Sequence, residues 1–116
     1  MNKATQSALD SWGVVVAEFE SIVAIADSGF SPETIAQARQ FLDFASTHCS
    51  IPHGVCKGYW PTIRVSWETP AFEVEIFSDR LETYRFRDGT TDIKHWDHAP
   101  GAPYNPDLIS ELPAKE

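Results

Sequence analysis

The sequence predicts an α+β protein in which an N-terminal two-helix hairpin packs on an antiparallel β-meander of three to four strands, followed by a short C-terminal helical turn. The period of the apolar residues indicates this class. It is three to four residues through the first 48 positions and two residues between 62 and 96. The 116 residues are enough for one hydrophobic core but not for two, so residues 1–116 are expected to form a single domain.

The first helix is predicted over residues 5–28. Its polar face carries Asp10, Glu18 and Asp27 and is expected to face solvent. Gly29 is expected to end the helix, because glycine adopts positive φ angles at little cost. The apolar stripe at helical spacing consists of Leu9, Trp12, Val16, Phe19, Val23 and Ala26.

The second helix is predicted over residues 32–48. Ser31 is suited to the N-cap, and Pro32 to the first helical position. Gln37 and Gln40 are expected to face outward with Glu33 and Asp43. The predicted buried stripe consists of Ile35, Ala38, Phe41, Leu42 and Ala45.

Residues 49–61, with two prolines and two glycines, are predicted to form a loop, and strands are predicted at 62–67, 72–78, 81–87 and 90–96. In the third of these strands we take Tyr84 and Phe86 as the buried positions. Thr83 and Arg85 are then expected on the solvated face. Asp88 and Gly89 form a strong hairpin-turn signal before the fourth strand.

The proline-rich tail, residues 99–116, contains a short helical signal. Asn105 can cap a helix that has Pro106 at its first position, with an apolar edge that includes Leu108 and Leu112. Such a helix is too short to be stable alone. It is expected to dock on the domain, to dock on a partner, or to stay disordered.

The chain carries nine basic and seventeen acidic residues, a formal net charge of −8. This charge disfavours direct binding to nucleic acid. It suits either plain solubility or an acidic face directed at a basic partner. No apolar stretch approaches the ~18 residues that span a membrane, and the N-terminus has no secretory signal, so a cytoplasmic protein without membrane association is expected.

Four potential metal ligands occur close together, at His48, Cys49, His53 and Cys56. The spacing lacks the paired Cys-x-x-Cys pattern of zinc sites, so we expect structural roles, no metal and no cofactor. Glu73 and Glu75 share a strand face with arginines and are expected to be ionised structural groups. No phosphate-binding loop, dinucleotide fingerprint or nucleophile elbow is present, and no catalytic residue is assigned.

Aromatic residues flank the predicted strands at Tyr59, Trp60, Trp96 and Tyr104. They either close the ends of a small core or form a partner-binding patch, since such residues are enriched in interface hot spots. The acidic face of the first helix is the second candidate surface for a partner.

These features favour a non-enzymatic protein that binds and blocks a larger partner, one that is basic or handles nucleic acid. In size and charge the chain is similar to small accessory proteins of phages and mobile elements, such as anti-CRISPR proteins, other anti-defence inhibitors, antitoxins and immunity proteins. No motif carries this likeness, so no residue roles follow from it. The alternatives are a small metal- or thiol-dependent enzyme centred on residues 48–56, and a structural subunit that pairs through a sheet edge. The sequence does not decide between monomer and homodimer.

Overall fold

The computed structural model describes residues 11–25, 29–58 and 60–115. It confirms the α+β class: two N-terminal helices and a short C-terminal helix accompany an antiparallel sheet. The helices are α1 (Trp12–Val23), α2 (Pro32–His48) and α3 (Pro106–Glu111). The strands are β1 (Gly54–Lys57), β2 (Ile63–Trp67), β3 (Phe72–Ile76), β4 (Arg80–Arg87) and β5 (Thr90–Asp97).

The sheet is a meander with the strand order β1-β2-β3-β4-β5. The four predicted strands are present, and the additional strand β1 lies inside the segment predicted as a loop. In β1, Val55 pairs with Val65 of β2 and is buried. This strand has only four residues and follows Pro52 and His53, so it is too short to show a two-residue period in the sequence.

Helix α1 is shorter than predicted. Ser11 has an extended backbone (φ −149°), and its side chain accepts a hydrogen bond from Val14 N, so the helix begins after it. The C-cap is Ala24. Val15 and Phe19 are buried, whereas Val16, predicted to be buried, is 40% exposed. Because Val14, Val15 and Val16 are consecutive, the sequence does not show which of them lies on the buried face of the helix. The predicted positions Leu9, Asp10, Ala26 and Asp27 lie outside the described residues.

Helix α2 has the predicted bounds, and Ser31 caps it by accepting a hydrogen bond from Thr34 N. One prediction for this helix is wrong. Gln37, expected to face outward, is fully buried and bonds to His98. Gln40 is half-buried and bonds to Gly101 and Ala102. Both glutamines therefore hold the chain that follows β5 against α2.

Strand β4 presents the opposite faces from those predicted. Thr83 pairs with Val74, is 2% exposed, and accepts a hydrogen bond from Trp96 Nε1 at 3.0 Å, so it belongs to the core. Tyr84 and Phe86 consequently lie on the outer face of the sheet. Strand β4 has apolar residues at odd-numbered and at even-numbered positions. Leu81 is buried, so the odd-numbered positions face the core.

The core lies between the inner face of the sheet and the three helices. The C-terminal segment docks on the domain, because Leu108 and Leu112 are buried in this core. In the described part of the chain, no helix is long and apolar enough to cross a membrane. The buried sheet residues of the core are Val55, Ile63, Val65, Trp67, Phe72, Val74, Ile76 and Leu81.

Candidate functional site

A cleft of about 400 Å³ opens at one end of the domain. Three parts of the chain meet there: the start of α2, the link between β1 and β2, and the link between β3 and β4. The cleft is lined by Gly29, Ser31, Thr34, Trp60, Pro61, Thr62, Phe77, Ser78 and Arg80.

Trp60 is the most exposed large aromatic residue of this cleft, with 60% of its surface accessible. Phe77 and Arg80 also line the cleft. The guanidinium of Arg80 lies 3.8 Å from the centroid of the Phe77 ring and also bonds to Asp79 and Glu82. The cleft thus combines the exposed Trp60 with Phe77 and with an arginine whose charge is balanced by Asp79 and Glu82.

A polar network on the outer face of the sheet adjoins the cleft. Glu75 and Glu82 are directly opposite each other on β3 and β4, and both are buried. Glu75 accepts hydrogen bonds from Thr62 Oγ1 at 2.6 Å and from Arg64 Nη2 at 3.2 Å. The Tyr84 hydroxyl donates to Glu82 Oε1 at 2.7 Å and lies 3.3 Å from Glu75 Oε1. Thr62 belongs to both the network and the cleft.

The network lowers the pKa of Glu82. Burial raises the pKa of Glu82. Hydrogen bonds from Tyr84 and Arg80, together with the charge of His95, lower it by more, so the pKa lies below the usual value. Burial and the bond to Glu82 raise the pKa of Tyr84. A carboxyl with a lowered pKa and a phenol with a raised one are poorly suited to proton transfer near neutral pH.

The four candidate metal or thiol residues lie in different surroundings. The ring of His48 stacks on Phe44, and His53 is exposed, 3.5 Å from Glu68. Burial raises the pKa of the Cys49 thiol to about 12 and also raises that of Cys56. Across residues 11–25, 29–58 and 60–115, no three His, Cys, Asp or Glu side chains are placed to hold a metal ion.

The predicted aromatic patch is divided. Trp60 lies at the cleft, but Trp96 and Tyr104 are half-buried and pack against the core. The Tyr104 ring stacks on His98, with centroids 4.4 Å apart. Tyr59 lies outside the described residues.

The predicted acidic face of the first helix is described only at Glu18. This side chain is half-buried, and its Oε1 accepts a hydrogen bond from Val55 N at 3.3 Å, so it supports β1. Asp10 and Asp27 lie outside the described residues.

Sequence reasoning missed Phe77, Arg80, Glu82 and Tyr84. Arg80 falls between the predicted strands 72–78 and 81–87, and Tyr84 is predicted on the buried face. The available signal was Leu81, since a buried Leu81 places Glu82 and Tyr84 together on the outer face.

Comparison with known proteins identifies no relative: no protein family, curated protein or solved structure matches the chain.

Proposed function

We propose that this chain is a non-enzymatic protein that binds and blocks a larger partner protein through the cleft, with Trp60 as the anchor. The exposure of Trp60 at a concave surface carries the proposal. Tryptophan is among the residue types most enriched in interface hot spots, and hot spots lie in well-packed pockets from which water is excluded.

The charge of the chain indicates the chemistry of the partner. A net charge of −8 favours encounter with a basic surface, such as that of a protein that handles nucleic acid. Inhibitors encoded by phages and mobile elements, such as anti-CRISPR and other anti-defence proteins, and antitoxins or immunity proteins, have a similar size and charge. Direct binding to nucleic acid does not fit this charge.

The alternative, an enzyme centred on residues 48–56, receives less support. Its thiols have raised pKa values, so little of either is present as the nucleophilic thiolate near neutral pH.

The proposal is tested by capturing proteins from host-cell lysate on the immobilised chain and quantifying them by mass spectrometry. We expect a protein retained by the wild-type chain and lost from Trp60→Ala. Phe86→Ala is the matched control, because Phe86 is an exposed aromatic residue on the outer sheet face and does not line the cleft. It should retain the same protein.

Identical retention by the wild-type chain and Trp60→Ala would contradict the proposed anchor. Absence of any specifically retained protein would contradict the proposed function as a whole.

A further inference from the structure

The two edges of the sheet differ in how they are protected. At β1, the outward-facing Val55 N donates to Glu18 of α1, so a side chain already occupies that edge. Strand β5 forms the other edge and is twice as long, with eight residues against four. Every residue from Thr90 to His95 is exposed. Long open edges are sites at which another strand can pair.

The hydrogen-bonding groups on the free edge of β5 can be assigned. His98 N, one residue beyond the strand, donates to Asp79 O on the β4 side. Antiparallel strands direct successive residues to alternate sides, so the even-numbered residues of β5 face β4. The N–H and C=O groups of Thr91, Ile93 and His95 then point to the free edge. Among the described residues, none bonds to these groups.

We propose that two copies of the chain pair antiparallel through the free edges of β5, with Ile93 opposite Ile93 of the second copy. In this register Thr91 of each copy exchanges backbone hydrogen bonds with His95 of the other. The result is one continuous ten-stranded sheet, from five strands in each copy. This inference does not depend on the proposed partner or on the Trp60 cleft.

Within each copy, Asp92 lies 3.3 Å from Arg87 and Lys94 lies 2.7 Å from Glu111. The charges of Asp92 and Lys94 also favour this register over its neighbours. This register places Asp92 opposite Lys94 of the second copy, and by symmetry Lys94 opposite Asp92. Moving the second copy by two residues in either direction would place Asp92 opposite Asp92, or Lys94 opposite Lys94, and like charges directly opposite are destabilising. These two positions do not bond across the new edge, and side chains approach most closely at such positions.

The exposed apolar residues of the outer face agree with the same pairing. Ile93 is 53% exposed and lies opposite Tyr84 within the chain, while Phe86 on β4 is 41% exposed. Pairing brings the two Ile93 side chains together and removes part of this apolar surface from water.

The test uses Asp92→Lys and Lys94→Asp, each measured alone and then mixed, by light scattering coupled to size-exclusion chromatography. The wild-type chain should run at twice its mass of 13.0 kDa. Each variant alone opposes like charges across the edge and should dimerise at least about tenfold more weakly. In an equimolar mixture, the lysines at positions 92 and 94 of one variant lie opposite the aspartates at positions 94 and 92 of the other. The mixture should therefore form a dimer that contains one copy of each variant.

Circular dichroism serves to check that each variant is folded. Formation of the mixed dimer distinguishes an effect on the interface from a folding defect. A wild-type chain that stays monomeric up to its solubility limit would overturn the proposal. Variants that dimerise as tightly as the wild-type chain, or a mixture that stays monomeric, would overturn it equally.

Discussion

At the scale of single residues, Gly58 shows how closely the link between β1 and β2 packs on the polar network. A Cβ atom at this position would lie 2.1 Å from Thr62 Oγ1 and 2.7 Å from Glu75 Oε2. Those two oxygens form the hydrogen bond that ties the cleft to the network. The absence of a side chain at Gly58 is therefore a condition for this bond.

We predict that Gly58→Ala lowers the free energy of unfolding by about 1–3 kcal/mol, because the added methyl group displaces Thr62 or Glu75. Gly13→Ala is the control, since its Cβ would meet only Ser11 Oγ at 3.8 Å on an exposed part of α1. That change should stabilise the chain by about 0.5–1 kcal/mol through helix propensity. Urea denaturation of both variants measures the two values. Equal effects would contradict the packing described for Gly58.

The lowered pKa of Glu82 predicts a pH-dependent stability. The folded-state pKa lies below the usual 4.5, so the unfolded chain takes up the proton first as the pH falls. The contribution of Glu82 to stability is therefore complete above pH 4.5 and is lost as the pH falls through the folded-state pKa. The stability difference between the wild-type chain and Glu82→Gln should narrow in this acid range.

Urea titrations at a series of pH values measure this difference, and Glu68→Gln, at a well-exposed glutamate, controls for net charge. A difference in free energy of unfolding between the wild-type chain and Glu82→Gln that stays constant into the acid range would contradict the lowered pKa of Glu82.

At the scale of secondary-structure elements, strong local signals predicted most of the fold. Helix α2 has its predicted bounds because a capping serine, a proline and a clear apolar stripe agree. Strand β1 has no such local signal, and for the faces of β4 the signal of Leu81 conflicts with that of Tyr84 and Phe86. Their identity depends on pairing with β2 and β3, and pairing is a tertiary property.

The candidate site was less accessible to sequence reasoning than the fold. Trp60 was named from its residue type, but the cleft needs α2 and the turn before Arg80 to lie beside it. The contact between Gln37 and His98 joins residues 61 positions apart and has no local signal. Gln37 is therefore buried in a polar contact, although its sequence position predicted that it would face solvent.

For strand β4, we predict that Thr83→Asp lowers the free energy of unfolding by about 3 kcal/mol or more, because it places an unpaired charge in the core. Val74→Asp, at the cross-strand neighbour of Thr83, should have an effect of similar size. Thr69→Asp, in the exposed turn between β2 and β3, should be close to neutral. Chemical denaturation compares the three variants. A free energy of unfolding of Thr83→Asp close to that of the wild-type chain would show that Thr83 lies on the solvated face.

At the scale of the whole molecule, the cleft and the free edge are separate surfaces. Trp60 lies on the link between β1 and β2, whereas the free edge is that of β5 at the other side of the sheet. A dimer through β5 therefore carries two copies of the cleft. Two linked sites would raise the apparent affinity for a partner that also has two sites.

In the proposed function Trp60 contacts the partner, whereas Trp96 packs against the core and supports the fold. The most direct test measures both the affinity for the captured partner and the melting temperature, for Trp60→Ala and Trp96→Ala. Trp60→Ala should weaken binding about 30-fold, equivalent to about 2 kcal/mol, with little change in melting temperature. Trp96→Ala should lower the melting temperature, because it removes core packing and the bond to Thr83. A Trp60→Ala chain that melts at a lower temperature but binds as tightly as the wild-type chain would contradict the proposed role of Trp60 as the anchor.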